Sequence, residues 1–262
     1  MINFAGIVPH PPLLIPTIGK DNIKQLEETR KGMEDLAGKI EDANLDILLI
    51  ISGSHKMHSD AFSILLAPKY TINFKEFGDF ETKNEALPDL EIIEKIRHSA
   101  IDKNIPLTLI NEESIDYTFG VPIHFLIKYE KTKIIPIVTS HLDIKSHYEL
   151  GRIIKTVIIN SNKRIGVVAS GSLSHKSTSN SPSGFSPKGP EFNEKIKELL
   201  ETKNTAGILT LDAKLIKDAN ESIINQLALL MGIVEKINYK TQIFSFEAPL
   251  GIGYMVANLK LL

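Results

Sequence analysis

Four short runs of apolar residues, many of them β-branched, limit the folds open to this chain more than any other feature. The runs cover residues 45–51, 133–138, 164–169 and 254–257. Because their apolar residues are continuous and do not alternate with polar ones, each run predicts a strand that is covered on both faces. Such strands are typical of folds in which helices pack on both sides of a mostly parallel sheet.

The segments between these runs carry the pattern of amphipathic helices. Residues 21–43 place apolar side chains at helical spacing, at Ile23, Leu26, Met33, Leu36 and Ile40. Further helices are predicted at residues 90–102, 147–160 and 191–201. Residues 212–237 are predicted to form two helices with a turn near Met231 and Gly232. This alternation predicts an α/β fold, a three-layer sandwich around a central sheet that is mostly parallel or mixed.

The composition excludes several kinds of partner and chemistry. The formal net charge of the 262 residues is -2, so no polybasic face indicates binding to nucleic acid or to an anionic membrane. Cysteine is absent, which excludes disulfides, thiolate metal sites and cysteine nucleophiles. The apolar residues 2–18 lack the basic start of a secretory signal, and no uncharged apolar stretch is long enough to cross a bilayer. A cytoplasmic protein is therefore expected.

Three residues in widely separated segments are candidate metal ligands. His10 is flanked by Pro9 and Pro11, which restrict the backbone and suit a rigidly held ligand, although a single hydrogen bond in a loop is the simpler interpretation of His10 alone. His55 follows the first predicted strand after three small residues. Glu247 lies in an apolar segment, where a carboxylate needs a metal ion or a basic side chain as partner. Two imidazoles and one carboxylate form the triad that holds non-haem Fe(II) and leaves coordination positions open.

The spread of these three residues also bears on domain organisation. They lie in the first, second and last fifths of the chain, so a site built from them needs a fold that brings both ends together. We therefore predict one domain over residues 1–262. Two of the predicted strands lead straight into candidate segments, and ligand sites in α/β sheets favour the carboxyl ends of strands.

Residues 170–175, Ser-Gly-Ser-Leu-Ser-His, offer two chemistries. A serine nucleophile is not favoured, because the segment lacks the Gly-x-Ser-x-Gly turn that presents one. His175 is a candidate general acid/base, since unperturbed imidazole titrates near neutral pH. The serine-, glycine- and proline-rich residues 177–190 follow it directly, and they are either an ordered loop over a site or a boundary between domains.

The remaining histidines divide into two groups. His124 and His141 lie in or just after apolar segments and are candidates for the wall of a substrate pocket. His58, His98 and His147 are interpreted as surface residues, the last two on predicted helices.

Six motifs occur in order along nearly the whole chain. They are residues 6–14 (GIVPHPPLL), 77–80 (FGDF), 120–122 (GVP), 170–175 (SGSLSH), 189–192 (GPEF) and 247–254 (EAPLGIGY). In order and spacing they resemble class III extradiol ring-cleavage dioxygenases of the LigB type, and are most similar to the Memo-like branch associated with radical-SAM proteins in prokaryotes. The resemblance implies one α/β domain in which His10, His55 and Glu247 bind Fe(II) and His175 is the acid/base.

The same resemblance sets expectations for substrate and partners. It implies cleavage of a small catechol-type aromatic diol by O₂, with Fe(II) as the metal and Zn or Mn as alternatives. Radical-SAM-associated proteins are the partners that it suggests, and a homodimer is the default expectation for assembly.

Two departures from the family pattern change what is expected of the reaction. Family members often carry Asp-His-Gly where this chain has Asp116-Tyr117-Thr118, so Tyr117 stands in place of a substrate-binding imidazole. A phenol forms hydrogen bonds but is not a cation near neutral pH. In addition, residues 52–55 are one residue longer than the usual Ser-Pro-His form. Three functions stay open: a dioxygenase, a Memo-like accessory protein that binds a metal or a peptide without ring cleavage, and a zinc hydrolase.

Overall fold

The computed structural model describes residues 1–53, 57–127 and 131–262. Its α-helices are α1 (Pro16–Gly19), α2 (Glu27–Ala43), α3 (Leu90–Asp102), α4 (Tyr117–Leu126), α5 (Ile144–Ile159), α6 (Lys188–Glu201), α7 (Thr205–Leu209), α8 (Ala213–Ala219) and α9 (Ile224–Ile233). Its strands are β1 (Ile2–Val8), β2 (Ile47–Ser52), β3 (Phe62–Leu66), β4 (Tyr70–Phe74), β5 (Asp79–Ala86), β6 (Leu107–Asn111), β7 (Ser114–Ile115), β8 (Lys133–Val138), β9 (Ile165–Ser170), β10 (Tyr239–Glu247) and β11 (Tyr254–Leu261). None of these helices is both long enough and apolar enough to span a membrane.

Eight of the strands form one mixed sheet in the order β10-β11-β1-β9-β2-β8-β3-β6. The four central strands β1, β9, β2 and β8 are parallel to one another. At one side β11 joins β1 in antiparallel orientation and β10 completes a hairpin with β11. At the other side β3 is antiparallel to β8 and parallel to β6. A smaller sheet has the order β5-β4-β7.

Side chains of the central strands alternate between two cores. Ile47, Leu49 and Ile51 of β2 lie in a core with α3, α5, α6 and α9. Leu48 and Ile50 lie in a second core, which they share with α2, α4 and β4. All five side chains are fully buried, because successive residues of a strand point to opposite faces and both faces are covered. This burial explains the continuous apolar runs, and it confirms the three-layer α/β sandwich around a mixed sheet.

The break between the last two helices, α8 and α9, lies at a different position from the predicted one. α8 ends at Ala219, Asn220 takes a left-handed conformation with φ 51°, and α9 begins at Ile224. The turn predicted near Met231 and Gly232 is wrong, because both residues lie inside α9. The reason is packing: a glycine in a helix allows another helix to approach closely, a use that the sequence does not distinguish from a turn.

Two histidines on helices differ in exposure. His98 is exposed, as predicted. The surface position predicted for His147 is wrong, because the ring is buried and packs edge-on against Phe62, with 4.8 Å between ring centroids. Its Nδ1 lies 2.8 Å from the carbonyl oxygen of Asp143, and its Nε2 accepts a hydrogen bond from the backbone N–H of Ser140. Because both ring nitrogens have partners, this imidazole is satisfied inside the core.

Candidate metal centre and active site

The carboxyl ends of the central parallel strands meet at one edge of the large sheet. In the ladders, Val8 of β1 pairs with Ser170 of β9, which pairs with Ser52 of β2, and Ser52 pairs with Val138 of β8. The segments that leave these strands therefore begin side by side. This edge is where open α/β sheets bind ligands, and two of the predicted site residues, His10 and His175, follow strands that end there.

The surroundings of His10 fix both its charge and its tautomer. Its Nδ1 lies 2.9 Å from the Ser170 hydroxyl oxygen, and that hydroxyl donates its hydrogen to the carbonyl oxygen of Thr118 at 2.8 Å. A serine has one hydroxyl hydrogen, so the Nδ1–H of His10 must donate to Ser170 and Nε2 keeps its lone pair. Removal from water lowers the pKa of His10 to about 4, against a smaller opposing effect of Asp116. His10 is thus a neutral imidazole near pH 7 with Nε2 available, the form in which histidine binds a metal.

His175 is held by backbone groups of the segment that follows α8. Its Nδ1 lies 2.6 Å from the carbonyl oxygen of Asn220, and because a carbonyl can only accept, Nδ1 is the donor. The backbone N–H of His175 also points at the carbonyl oxygens of Ala219 and Asn220. A positive charge on His175 would lower the pKa of His10, so the two rings are close enough to interact electrostatically. Within the described residues, the Nε2 of His175 has no hydrogen-bond partner.

Tyr117, the first residue of α4, lies beside His10. The two rings meet edge-on with their centroids 5.7 Å apart, and Phe77 packs edge-on against the other side of Tyr117 at 5.2 Å. Burial raises the pKa of the Tyr117 phenol, and the charges of Asp116 and Glu76 raise it further. The phenol is therefore a neutral hydrogen-bonding group next to the candidate ligand. Its role in binding a substrate stays a prediction.

His124 lies two turns further along α4 than Tyr117. Its ring packs against Phe74 and Phe125, with centroid distances of 6.1 and 5.5 Å. Burial lowers its pKa, and the charge of Asp79 partly offsets that effect. No described residue forms a hydrogen bond with its buried Nδ1. These contacts are with β4, β5 and the helix itself, so the substrate-binding role predicted for His124 gains no support from its neighbours.

Glu247 ends β10, the outermost strand on its side of the large sheet. Its Oε1 accepts hydrogen bonds from the backbone N–H of Thr29 at 2.8 Å and from the Thr29 hydroxyl at 2.5 Å, in the first turn of α2. Across the hairpin it pairs with Tyr254 of β11. Burial raises the pKa of Tyr254, and the charge of Glu247 raises it further. Among the described residues, this carboxylate is thus bonded to the backbone N–H and the hydroxyl of Thr29. Its strand is separated from β1 by β11. Its role as a metal ligand is untested and stays a prediction.

His55 lies outside the described residues, so its predicted role as the second ligand is likewise untested. The chain leads to it through Gly53, where a Cβ would lie 3.3 Å from the side-chain nitrogen of Gln226 in α9. Within residues 1–53, 57–127 and 131–262, no three His, Asp or Glu side chains are close enough together to hold a metal ion. A complete triad at this edge would therefore need a ligand from the remaining residues, which include His55.

A second carboxylate, Glu221, lies between α8 and α9. Its Oε2 accepts hydrogen bonds from the backbone N–H groups of Ile223 and Ile224, at 2.5 and 2.7 Å. Burial raises the pKa of Glu221, and these two hydrogen bonds only partly offset the effect. None of the described residues donates a hydrogen bond to Oε1. The side chain is thus a half-buried carboxylate with one oxygen committed to the start of α9.

Backbone contacts place the Glu221 segment directly against the segment that carries His175. A Cβ on Gly171 would lie 2.5 Å from the carbonyl oxygen of Ser222. The backbone N–H of Ser172 donates to the Ser222 hydroxyl at 3.1 Å. Gly171 itself donates its N–H to the carbonyl oxygen of Val8, two residues before His10. Glu221 therefore belongs to the same edge of the sheet as both histidines.

The sequence interpretation missed Glu221 because it took residues 212–237 as two helices that meet near Gly232. That interpretation places Glu221 inside the first of the two helices. The signal that was available is Asn220 followed by Glu221 and Ser222 and then an uncharged apolar run. Asparagine often ends a helix in the left-handed conformation, and Glu and Ser favour the start of the next helix.

The chain matches the family model described as "Catalytic LigB subunit of aromatic ring-opening dioxygenase" over residues 5–257. It is 26% identical over 269 residues to Protein CA_C1420 of Clostridium acetobutylicum, an alignment that covers 99% of this chain and 58% of that protein. The chain thus spans little more than half the length of this relative.

A solved structure shares the fold. It is described as the crystal structure of uncharacterized protein JW3007 from Escherichia coli K12, and it matches with a TM-score of 0.67 and 14% sequence identity over 98% of this chain and 99% of that one. The fold and the family match, which covers nearly every residue, therefore point to the same family. The chain belongs to the family of the catalytic LigB subunit of aromatic ring-opening dioxygenases.

Proposed function

We propose that this protein is a non-haem Fe(II) dioxygenase that opens the ring of a small catechol-type diol. The observation that carries the proposal is the hydrogen-bonded chain from His10 through Ser170 to Thr118, which commits Nδ1 and leaves Nε2 of a neutral imidazole without a hydrogen bond to any described residue. A second histidine, His175, is close enough to act on the pKa of His10, and no hydrogen bond joins its Nε2 to the part of the chain that the structure describes. Membership of the LigB family supports the reaction class.

The donor chemistry of the described residues fits an iron site. His10 supplies a neutral imidazole nitrogen, and His55 is the predicted second imidazole. We propose Glu247 as the carboxylate ligand, because the turn that follows it is bonded to the His175 segment: Gly253 donates to the carbonyl oxygen of Ser174 at 2.8 Å and accepts from the Leu173 N–H at 2.9 Å. Glu221 is the alternative, because its own segment contacts Gly171 and Ser172. Iron bound there would supply the electronic coupling between an aromatic diol and O₂.

The residues around the metal ligands have separate tasks in this reaction. His175 accepts a proton from a substrate hydroxyl at Nε2, because its Nδ1 is already committed to the Asn220 carbonyl. Tyr117 donates a hydrogen bond to the substrate from a phenol that stays protonated at neutral pH. Phe77 and Tyr117 together form an aromatic wall against which a flat ring can pack.

Anaerobic titration with Fe(II) tests the site, with Glu221→Gln and Glu247→Gln as a matched pair. We expect the wild type to bind about one iron per chain, Glu247→Gln to bind it roughly 10- to 100-fold more weakly, and Glu221→Gln to bind it as the wild type does. The reverse pattern would assign the carboxylate to Glu221. Absence of binding by the wild type would remove the oxygenase proposal.

A second function is favoured by one observation, the phenol of Tyr117 next to His10 where family members often carry an imidazole. In that case the protein is an accessory protein that binds a metal or a peptide and does not cleave rings. Oxygen uptake separates the two functions: iron binding without oxygen consumption over a panel of catechols supports the accessory role.

A further inference from the structure

We propose that Asn220 is a positioning residue for His175. Its left-handed backbone directs its carbonyl oxygen at the His175 ring, so that the ring proton stays on Nδ1 and Nε2 faces the substrate. The inference rests on the proposed function for its catalytic meaning, but the ring geometry that it predicts exists in the metal-free protein.

The contacts of the Asn220 carbonyl oxygen are the first support. It accepts from the Nδ1 of His175 at 2.6 Å and from the backbone N–H of the same residue at 3.3 Å. One oxygen therefore holds both the backbone and the ring of His175. The neighbouring carbonyl, of Ala219, accepts from the Ser174 hydroxyl at 2.7 Å, which fixes the residue before His175 to the same segment.

The conformation of Asn220 is the second support. With φ 51° and ψ 57° it ends α8, and its own N–H returns to the carbonyl oxygen of Lys217 at 3.2 Å. The left-handed conformation turns the chain out of the helix and toward His175. Asparagine and glycine adopt it readily, whereas a β-branched residue is strained there.

The side chain of Asn220 adds a link to the loop at residues 177–190. Its Nδ2 donates to the Ser183 hydroxyl at 3.0 Å. The same loop is tied on its other side to Gly251, whose carbonyl oxygen accepts from the Ser177 N–H at 3.0 Å and from the Ser181 hydroxyl at 2.8 Å. The side chain of Asn220 is thus joined through Ser183 to a loop that is itself bonded to Gly251.

The chemical consequence concerns the tautomer of His175. A carbonyl oxygen only accepts hydrogen bonds, so the tautomer with its proton on Nε2 would set the Nδ1 lone pair against the oxygen lone pairs. The Nδ1–H form avoids this repulsion and leaves Nε2 as the base. The tautomer is thereby set by a backbone group, whose direction a substitution at position 220 can change without removing the oxygen.

Nitrogen-15 NMR of the imidazole rings of metal-free protein, at a pH where His175 is neutral, reads the tautomer directly. The His175 signals are assigned by their loss in His175→Gln. We expect the proton on Nδ1 in the wild type and in Asn220→Gly, since glycine keeps the left-handed conformation, and a mixture of tautomers in Asn220→Val. A wild-type spectrum with the proton on Nε2 overturns the proposal whether or not the variants fold.

Kinetics with a cleaved catechol supply the second readout. We expect kcat of Asn220→Val to fall by roughly tenfold or more with KM little changed, and Asn220→Gly to stay near the wild type. Equal loss in both variants would assign the effect to the Ser183 link instead and overturn the role of the carbonyl. If no catechol is cleaved but the spectra are as expected, the positioning of His175 stands and the dioxygenase proposal fails.

Discussion

Two histidines of this protein make the same kind of hydrogen bond but suit different tasks. Each has its Nδ1 hydrogen committed to a protein oxygen, the Ser170 hydroxyl for His10 and the Asn220 carbonyl for His175. Each therefore has Nε2 available. The difference is in what surrounds the ring, because removal from water holds His10 neutral by lowering its pKa to about 4. A ring that is neutral near pH 7 suits a metal ligand, and a second ring that presents its Nε2 lone pair suits an acid/base.

Alanine substitutions at the two histidines should separate these tasks. We expect His10→Ala to lose Fe(II) binding, because it removes a donor atom. His175→Ala should keep iron and lose turnover by roughly 10²- to 10⁴-fold, the usual contribution of a general acid/base. Anaerobic iron titration and oxygen uptake on the same preparations measure both effects. Equal loss of metal in the two variants would contradict this division of roles.

At the scale of elements, α9 is fixed against α5 by direct backbone contact. The helices cross at Gly151 and Gly232, where a Cβ on Gly232 would lie 2.1 Å from the carbonyl oxygen of Tyr148 and a Cβ on Gly151 would lie 2.1 Å from that of Leu229. Side chains larger than hydrogen do not fit between the two backbones. This contact holds α9 in place, and with it the segment at its start that carries Glu221.

Gly232→Ala should therefore destabilise the protein, although alanine is the better helix former. We expect the free energy of unfolding to fall by about 1–3 kcal/mol or more, because the added methyl group meets backbone that cannot move aside. Gly38→Ala in α2 is the matched control, since nothing lies within 4 Å of a Cβ there, and it should stabilise by up to roughly 1 kcal/mol. Denaturant unfolding of both variants measures the difference. Similar effects of the two substitutions would show that the helices separate easily.

The same crossing shows where prediction from the sequence stops. The helix at residues 90–102 and the strand at residues 133–138 are predicted with their observed ends, because a continuous local pattern defines them. Gly232 predicts a turn, since a sequence shows the glycine but not the helix that packs against it. The predicted helix break therefore lies away from Asn220, where the chain has it, and Glu221 is not recognised as a candidate site residue. His10 and His175 could be predicted because their motifs are local, whereas the choice between Glu221 and Glu247 depends on contacts between segments far apart in the sequence.

On the scale of the whole molecule, the two ends of the central strands carry different groups. The carboxyl ends lead to the candidate site, whereas the amino ends carry ion pairs. Arg164, just before β9, pairs with Asp46, just before β2, at 2.6 Å. Asp89 binds Lys163 at 2.9 Å and Lys133 at 3.2 Å. The candidate site and the ion pairs that join the strands thus lie at opposite ends of the central strands.

Asp89→Asn should test this separation. The Asp89 side chain is 3% exposed and caps α3 by accepting from the Ile92 N–H. Burial raises its pKa, but hydrogen bonds from Lys163, Ile92 and Lys133 outweigh that effect, so the pKa is lowered overall. A lowered folded-state pKa gives stability that is present above the unfolded value, near 4, and is lost as the pH falls below it.

We therefore expect Asp89→Asn to lower the free energy of unfolding by about 1–3 kcal/mol at pH 7, with a difference from the wild type that shrinks below about pH 4. Iron binding should be unchanged, because the substitution lies at the opposite end of the strands. Denaturant unfolding between pH 3 and 7 gives the comparison. A difference that grows on acidification would contradict the assigned role of Asp89.

The place of β11 in the large sheet has a consequence for synthesis of the protein in the cell. This strand, the last in the described chain, lies between β10 and β1, and pairs Asn258 with Gly6. While a ribosome is still adding residues before β11, one edge of β1 has no partner, and an unpaired strand edge readily joins other chains. The nascent chain therefore shields this edge of β1 only after residues 254–261 have emerged.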